Sequence, residues 1–260
     1  MSTILDTIAE ATKERVVISK NNISLSDMKK KALECGNDGL FPFYRALARE
    51  GMSFICECKK ASPSKGLIAP DFPYVQIAKE YEAAGASCIS VLTEPKWFLG
   101  SNEYLREITE NVSIPCIRKD FTVDEYMIYE AKTLGASAVL LICSILSKEQ
   151  LAEYQQIATE LGLSAIIETH DENEMQMAID CGAKIVGVNN RNLKDFSVDV
   201  ENSKRLRNMA PRDMIFVAES GIKTREDVAI LEECGVDAVL IGETLMKAQD
   251  KKAMLEYLRG

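Results

Sequence analysis

Residues 134–144 read LGASAVLLICS, a turn of small residues around Gly135 followed by a short apolar run. The same pattern returns at residues 84–94 (AGASCISVLTE), 181–191 (CGAKIVGVNNR) and 234–244 (CGVDAVLIGET). The glycines of the four segments are 50, 47 and 53 residues apart. Each interval is too long for one strand-helix unit and suits two. The repeat therefore predicts a further strand inside each interval.

A second set of apolar runs supplies these three strands and one more that precedes the first interval. It consists of SFICECK (53–59), PCIRKDF (115–121), SAIIETH (164–170) and MIFVAESG (214–221), which brings the predicted total to eight. Amphipathic stretches of helical length lie between the strands, and Ser147 and Thr224 are predicted N-caps of two of the helices. The chain is predicted to alternate strands and helices throughout.

Strands that are apolar on both faces and alternate with helices indicate a parallel sheet. Eight such units in about 210 residues favour a closed (β/α)8 barrel, the TIM barrel, over an open doubly wound sheet. The dinucleotide fingerprint GxGxxG is also absent. We therefore predict a catalytic α/β barrel over residues 53–260. Residues 1–52, with the helical patterns ILDTIAEATKERVV and FYRALAREG, are predicted to form a helical extension packed on the barrel.

Composition and charge exclude several classes of function. A formal net charge of -9 and a pI near 4.9 argue against nucleic-acid and anionic-membrane surfaces, while leaving room for a local pocket that binds a small anion. The eight cysteines form no CxxC pair, and with a single histidine they predict free thiols and no metal site. The longest apolar stretch, AVLLICSIL, is about half of a bilayer span. We expect a cytoplasmic protein with no membrane contact and no obligate protein partner.

Charged and polar side chains stand where most of the predicted strands end. Glu57 and Lys59 are two residues apart, so strand alternation points both to one side of the sheet. The other strand ends carry Lys119, Glu168, Asn189, Arg191, Glu219 and Ser220. In a (β/α)8 barrel these ends form the active site, and ionisable groups that converge there shift one another's pKa. The set predicts acid-base chemistry.

Two glycines indicate an anion site. Gly221 and Gly242 follow the seventh and eighth strands, where barrels of this class bind phosphate through backbone N–H groups. The segment SPSKG (62–66) is predicted to close over the anion as a loop. The alternative is that both glycines serve only as tight turns.

The aromatic residues and the histidine near the strand ends are less informative. Trp97 and Phe98 follow the second strand, where they either line a pocket for an aromatic ligand or cover the barrel rim. His170 is the only histidine. No role is predicted for it, because a lone histidine is more often a packed or capping residue than a catalyst.

Taken together, these strand-end segments resemble one enzyme family over essentially the whole chain, the indole-3-glycerol-phosphate synthases. The matching segments are ECKKASPSKG (57–66), VLTEPKWFLGS (91–101), IRKDF (117–121), IETH (167–170), VNNRNL (188–193), AESGI (218–222) and IGETLM (241–246). The resemblance implies a carboxy-lyase of tryptophan biosynthesis that works without a cofactor. Its substrate would be 1-(2-carboxyphenylamino)-1-deoxyribulose 5-phosphate, converted to indole-3-glycerol phosphate with release of CO2 and water.

The resemblance also assigns residues to roles. Lys119 is the implied general acid that protonates the substrate ketone, and Glu168 is the implied base for the later proton removal. The remaining catalytic positions are the charged pair of Glu57 and Lys59, Asn189, which orients the substrate, and Glu219. The implied phosphate contacts are Ser62, Ser220, Gly221, Gly242 and Glu243, and Thr244 follows Glu243 where other members can carry Ser. Phe98, Phe121 and Leu140 would line the pocket for the carboxyphenyl ring, with Arg191 close by.

Two further readings stay open at this point. One is another sugar-phosphate barrel, either a ketose-phosphate isomerase or an aldolase that forms a Schiff base on Lys119, which borohydride trapping would reveal. The other is a barrel that binds a phosphorylated metabolite without turning it over. In that case the converging ionisable groups would lack an evident purpose.

Overall fold

All eight predicted strands are present in the computed structural model, which describes residues 3–37, 39–191, 197–199 and 201–260. The strands are β1 (Ser53–Cys58), β2 (Cys88–Leu92), β3 (Cys116–Lys119), β4 (Ala138–Ile142), β5 (Ser164–Thr169), β6 (Ile185–Asn189), β7 (Ile215–Glu219) and β8 (Ala238–Ile241). Each pairs in parallel with its neighbours in chain order, and β8 pairs with β1. The predicted (β/α)8 barrel is confirmed.

Helices precede the barrel and follow its strands. Before β1 lie α1 (Ile4–Asn22), α2 (Leu25–Glu34) and α3 (Pro42–Leu47). The others are α4 (Tyr74–Ala83), α5 (Asn102–Asn111), α6 (Glu125–Thr133), α7 (Lys148–Glu160), α8 (Glu172–Asp180), α9 (Glu201–Arg207), α10 (Arg225–Glu233), α11 (Glu243–Lys247) and α12 (Lys251–Arg259). A two-stranded hairpin pairs Ala61–Ser62 with Gly66–Leu67, and a 3-10 turn covers Cys143–Ile145.

The glycine of the sequence repeat ends a helix. Gly135 has a φ of 82°, which is costly for any residue with a Cβ. Its N–H donates to Lys132 O, and the next N–H, of Ala136, donates to Ala131 O. This is the usual left-handed end of a helix, and it turns the chain directly into β4. The predicted N-caps are also confirmed, because Ser147 and Thr224 each form a reciprocal capping box, on α7 and α10.

Strand alternation sorts the barrel side chains into an inner and an outer core. The strands that end in charge contribute Ile55, Ile117, Ile166 and Val217 to the inner core. The residue two positions further along each strand is Glu57, Lys119, Glu168 and Glu219, respectively. The four charged side chains therefore point into the barrel above an apolar layer.

The helices before β1 contribute to the same inner core at both ends of the barrel. Phe43 and Leu47 of α3 are buried in it, as are Leu5 and Ile8 of α1. Helix α3 lies at the end where strands begin, because Tyr44 N donates to the Ser164 hydroxyl 3.2 Å away and Ser53 Oγ donates to Ala46 O at 3.4 Å. Ser53 and Ser164 are the first residues of β1 and β5.

No helix in the described ranges is long and apolar enough to cross a membrane. The eight cysteines are free thiols, and five of them are buried: Cys56, Cys58, Cys88, Cys116 and Cys143. The last two residues of the segment VNNRNL (188–193) lie outside the described residues.

Candidate active site

A cavity of about 970 Å³ opens where the barrel strands end. Every residue predicted for catalysis or binding lines it: Glu57, Lys59, Ser62, Phe98, Phe121, Leu140, Lys119, Glu168, Asn189, Arg191, Glu219, Ser220, Gly221, Gly242 and Glu243. The floor is charged, and the walls differ in character. One wall is aromatic and aliphatic, while the opposite wall is built from serines, glycines and lysines.

Lys119 lies at the centre of the floor. Its Nζ is 2.9 Å from Glu219 Oε2 and 3.5 Å from Glu168 Oε2, and its side chain is only 13% exposed. Burial by itself lowers the pKa of an ammonium group, but the surrounding carboxylates of Glu219, Glu168 and Glu57 raise the pKa of Lys119 well above its ordinary value. Lys119 is therefore a cation at neutral pH.

The two carboxyl groups beside Lys119 are shifted in opposite directions. Burial raises the pKa of Glu168, but the Lys119 ammonium, the nearby His170 imidazole and the hydrogen bond from Asn189 outweigh it and lower the pKa below the ordinary value. Burial raises the pKa of Glu219, and the Glu168 charge adds to the rise while Lys119 opposes it. A pair with separated pKa values can divide the work of acid and base.

Glu57 and Lys59 form a second ion pair, with Lys59 Nζ 2.6 Å from Glu57 Oε1. The Ser90 hydroxyl donates to Glu57 Oε2 at 3.2 Å. Burial raises the pKa of Glu57, but Lys59 and Lys119 hold it below the ordinary value. A Cβ at Gly242 would come within 2.5 Å of Glu57 Oε1 and 2.9 Å of Lys59 Nζ. Glycine is thus needed here to admit the ion pair, a role that the sequence prediction did not assign to Gly242.

Asn189 is the last residue of β6, and Arg191 lies two residues beyond it. Asn189 Nδ2 donates to Glu168 Oε1 at 3.3 Å, and the Arg191 N–H donates to Asn189 Oδ1 at 3.0 Å. Asn189 lies opposite Glu219 in the register between β6 and β7. The Asn189 amide therefore links the Glu168 carboxylate to the backbone of Arg191.

The polar wall brings lysines and glycines together. Ser220 and Gly221 both have a positive φ, 68° and 86°, so the chain leaves β7 in a sharp turn against the cavity. After the neighbouring strand β8, Glu243 accepts from Lys247 Nζ at 2.7 Å and lies 3.9 Å from Lys65 Nζ in the hairpin after β1. The Thr244 hydroxyl donates to Ile222 O.

The apolar wall is formed by Phe98 and Phe121, whose ring centroids are 6.1 Å apart, and by Leu140. Trp97 packs nearby without lining the cavity. The buried Glu94 carboxylate shapes this loop, because it accepts the N–H groups of Lys96, Trp97 and Phe98 at 2.9, 2.7 and 3.0 Å. Glu94 was not predicted as a site residue, since nothing in the sequence indicates that it bonds the backbone next to it.

Comparison with known proteins identifies the family. The family model described as indole-3-glycerol phosphate synthase matches residues 5–258. The chain belongs to the indole-3-glycerol phosphate synthase family. It is 56% identical to the indole-3-glycerol phosphate synthase of Ruminiclostridium cellulolyticum and 51% identical to that of Lachnoclostridium phytofermentans, with 99% and 98% of each chain covered. Thiamine phosphate pyrophosphorylase from Pyrococcus furiosus shares the fold alone, with a TM-score of 0.61 at 17% identity, over 83% of this chain and 95% of that chain.

Membership in the synthase family makes the chain a carboxy-lyase of tryptophan biosynthesis, as the resemblance implied. The reading as a barrel that binds without catalysis is thereby set aside. The described ranges contain no cluster of three or more acidic, histidine or cysteine side chains suited to hold a metal ion. The absence of a cofactor stays a prediction.

The synthase site contains residues that the sequence did not reveal. Leu5 and Ile8 of α1 line the cavity, although they precede β1 by more than one helix. Their helical spacing indicates a buried face but not what that face covers. His170 contacts the Glu168 carboxylate, with Nε2 3.3 Å from Oε1. The same two-residue spacing that placed Glu57 beside Lys59 also relates Glu168 to His170, so this signal was present in the sequence.

Proposed function

We propose that the chain converts 1-(2-carboxyphenylamino)-1-deoxyribulose 5-phosphate to indole-3-glycerol phosphate, releasing CO2 and water. The observation that carries the proposal is Lys119, a buried ammonium held by carboxylates at the floor of a cavity with one apolar and one polar wall. The substrate has matching parts: a carboxyphenyl ring, a ketone and a phosphate. Family membership supports the same reaction.

In the proposed mechanism Lys119 is the general acid. As the ring carbon attacks the ketone, negative charge develops on the ketone oxygen, and an ammonium group already in place stabilises that charge and donates a proton. When CO2 leaves, the electron pair of the broken bond stays on the substrate and restores the aromaticity of the ring. Glu219, which accepts from Lys119 Nζ at 2.9 Å, holds the ammonium in position.

Glu168 is the proposed base for the elimination of water that completes the indole. Its low pKa keeps it ionised at neutral pH, and Asn189 orients it through a hydrogen bond to Oε1. The ion pair of Lys59 with Glu57 lies on the same floor and supplies a second ammonium close to the leaving hydroxyl.

The two walls are proposed to bind the two ends of the substrate. Phe98, Phe121 and Leu140 would contact the carboxyphenyl ring, with Arg191 near its carboxylate. The phosphate would lie between the turn at Ser220 and Gly221 and the segment at Gly242 and Glu243, with Ser62 and Lys65 above it. Lys65 and Lys247 make this end the more basic one.

The pKa of Lys119 disfavours the alternative of a Schiff-base aldolase. A lysine that attacks a carbonyl must be a neutral amine, and enzymes lower its pKa to make it so. The carboxylates around Lys119 do the reverse. Borohydride with substrate should therefore give no covalent adduct on Lys119.

The direct test is to supply the substrate and follow indole fluorescence. We expect a fluorescent product with release of CO2, and a large loss of both binding and kcat for the dephosphorylated substrate, because remote binding energy positions the reacting ring. Absence of product would overturn the proposed reaction. An unchanged kcat/KM for the dephosphorylated substrate would overturn only the phosphate assignment.

The proposal extends to the domain organisation and the cellular setting of the protein. We propose that the catalytic domain comprises residues 53–260, with residues 1–52 as an extension whose Leu5 and Ile8 help to close the cavity. We also propose that the protein works in the cytoplasm on this small phosphorylated substrate, without nucleic acid or an obligate protein partner.

A further inference from the structure

His170 lies behind the catalytic floor. The imidazole does not line the cavity, yet its Nε2 is 3.3 Å from Oε1 of Glu168. The Nε2 atom is buried and makes no hydrogen bond within the described residues, since this contact falls outside hydrogen-bond geometry. Lys119 approaches the other carboxylate oxygen, Oε2, at 3.5 Å. Glu168 is thus flanked by a lysine on the cavity side and by an imidazole on the outer side.

Glu174 holds the imidazole in this position. Its Oε2 lies 3.0 Å from His170 Nδ1 and also accepts the His170 backbone N–H at 2.8 Å. The site is built from three elements, because Asn202 of α9 donates to His170 O and Cys143 of the 3-10 turn donates to Glu174 O. An imidazole with a carboxylate on each ring nitrogen is stable as the doubly protonated cation.

We propose that His170, held by Glu174, is a positioning residue that keeps the Glu168 carboxylate ionised and in place as the base of the reaction. The inference rests on the proposed function, in which Glu168 removes a proton. His170 would act on Glu168 as a cation without touching the substrate. The imidazolium opposes the tendency of Glu168 to follow Lys119 when substrate draws that ammonium toward the ketone oxygen.

Other charged groups also face this carboxylate. Lys119 on β3 and Glu219 on β7 approach it from the barrel interior, and Arg191 lines the same cavity. Cys143 lies close to both glutamates, and burial raises the pKa of its thiol so that it stays neutral. Burial by itself lowers the pKa of His170, but the Glu168 and Glu174 carboxylates, 3.3 and 3.0 Å from its two ring nitrogens, raise it to about 10. His170 is therefore the cation on the outer side of Glu168 over the whole neutral range.

The first test uses the fact that the chain has one histidine. Protein labelled with 15N-histidine and free of any histidine tag gives a single imidazole, whose two nitrogen shifts report protonation by NMR. We expect an imidazolium at pH 7 that titrates only well above it, and a titration moved down into the neutral range in Glu174→Gln. A neutral imidazole at pH 7 in the wild type would overturn the inference without any variant.

The second test is kinetic. We expect His170→Asn to lower kcat about tenfold and to leave KM within about twofold, because the base is misplaced while the cavity walls are untouched. In Glu174→Gln, kcat should fall as pH rises through the His170 titration seen by NMR, and Glu174→Asp should restore much of the wild-type behaviour. Glu172→Gln is the matched control, since Glu172 is an exposed residue of the same helix turn that pairs with Arg205.

The outcomes separate this inference from the proposed function. If kcat of His170→Asn and Glu174→Gln stays at the control level while the wild type turns over substrate, His170 has no positioning role. If instead the wild type fails to convert the substrate, the proposed function falls, and the NMR titration still decides the charge of His170. A merely structural role would lower stability without making kcat follow the His170 titration.

Discussion

Lys119 carries its charge at a depth where an unpaired ammonium would lose its proton. It stays protonated because Glu219 and Glu168 surround it, and the cost of burying the group is offset by these contacts. The same contacts mean that neither carboxylate acts alone. A substitution at one position will change the protonation of its neighbours, so variants here should be read as changes to a coupled set.

The first prediction separates the two main roles at this floor. Lys119→Met keeps much of the side-chain volume and removes the donor, so kcat should fall about a hundredfold or more, the scale of general acid catalysis. Glu168→Gln should also lower kcat, but at the elimination of water. In single-turnover experiments the methionine variant should be slow in ring closure, while the glutamine variant should accumulate a decarboxylated intermediate. Near-wild-type turnover in both, with folding and analogue binding intact, would show that the floor is not the catalytic site.

The second prediction concerns the acid in the proposed phosphate site. Glu243 accepts from Lys247 at 2.7 Å and lies 3.9 Å from Lys65, so in the free protein a carboxylate engages cations that an anion would use. Glu243→Gln removes a charge of the same sign as phosphate. It should therefore strengthen the binding of inorganic phosphate, measured as the inhibition constant of a competitive inhibitor at low salt. A gain of about fivefold corresponds to about 1 kcal/mol, the interaction of two unit charges a few ångström apart in water.

The control for this variant is Glu243→Asp, which keeps the charge and should keep the wild-type inhibition constant. The gain in the glutamine variant should shrink as salt is added, because exposed charges are screened. An inhibition constant that is the same in wild type and Glu243→Gln at low salt would show that phosphate binds away from Glu243.

Among the secondary-structure elements, helix caps and glycine turns explain why the repeat of strands and helices could be recognised in the sequence. Each glycine of the repeat ends a helix with a positive φ, at Gly85, Gly135, Gly182 and Gly235. N-caps such as Ser147 satisfy amide groups at the other helix ends. Both devices act through neighbours a few residues away. They can therefore be recognised in sequence without knowledge of the tertiary fold.

The third prediction tests one cap. Ser147 Oγ accepts the Gln150 N–H, and Gln150 Oε1 accepts the Ser147 N–H in return, at an exposed site that does not line the cavity. Ser147→Ala should lower the free energy of unfolding by about 1 kcal/mol, measured by denaturant titration, with kcat unchanged. Ser147→Thr retains a hydroxyl and should lose much less. Equal losses in the two variants would contradict the capping argument.

At the scale of the whole molecule, the helices before β1 act on both ends of the barrel. Helix α3 closes the end where strands begin, through Phe43 and Leu47, while Leu5 and Ile8 of α1 line the cavity at the other end. Arg15 of α1 also pairs with the buried Asp120, 2.7 Å away, next to Lys119. The N-terminal segment is thus part of the hydrophobic core and of the cavity wall.

The fourth prediction concerns stability and pH. His170 has a pKa of about 10 in the folded protein against an ordinary value of 6.5. Between these values the folded state binds a proton that the unfolded state releases, so the contribution of His170 is full below pH 6.5 and is lost as pH rises toward 10. The free energy of unfolding should therefore decline from pH 6.5 to 8, below the range in which most thiols ionise.

The comparison that checks this is the slope against pH in His170→Asn, with Glu172→Gln as control. The asparagine variant should lose this part of the slope, whatever its absolute stability, and the control should keep it. Equal slopes in all three proteins would mean that His170 has the same affinity for protons in the folded and unfolded states.

The positions of the strands, the helix ends and the residues that follow each strand could be predicted from the sequence alone. These features depend on local chemistry: alternation along a strand, a left-handed glycine, and a hydroxyl that caps a helix. Because parallel strands present their carboxyl ends at one edge, the residues at the strand ends could be predicted to form a single site. The predicted residues from Glu57 to Glu243 all line the same cavity for this reason.

Which of these residues contact one another, and which other residues they contact, depends on the folding of the whole chain. Lys119 contacts Glu219 across 100 residues of sequence, His170 supports Glu168 from outside the cavity, and Leu5 reaches the mouth from α1. Gly242 leaves room for the ion pair at Glu57. Such contacts depend on how the barrel closes and on how its first helices pack, and both are settled by burial summed over the whole chain, which no local pattern records.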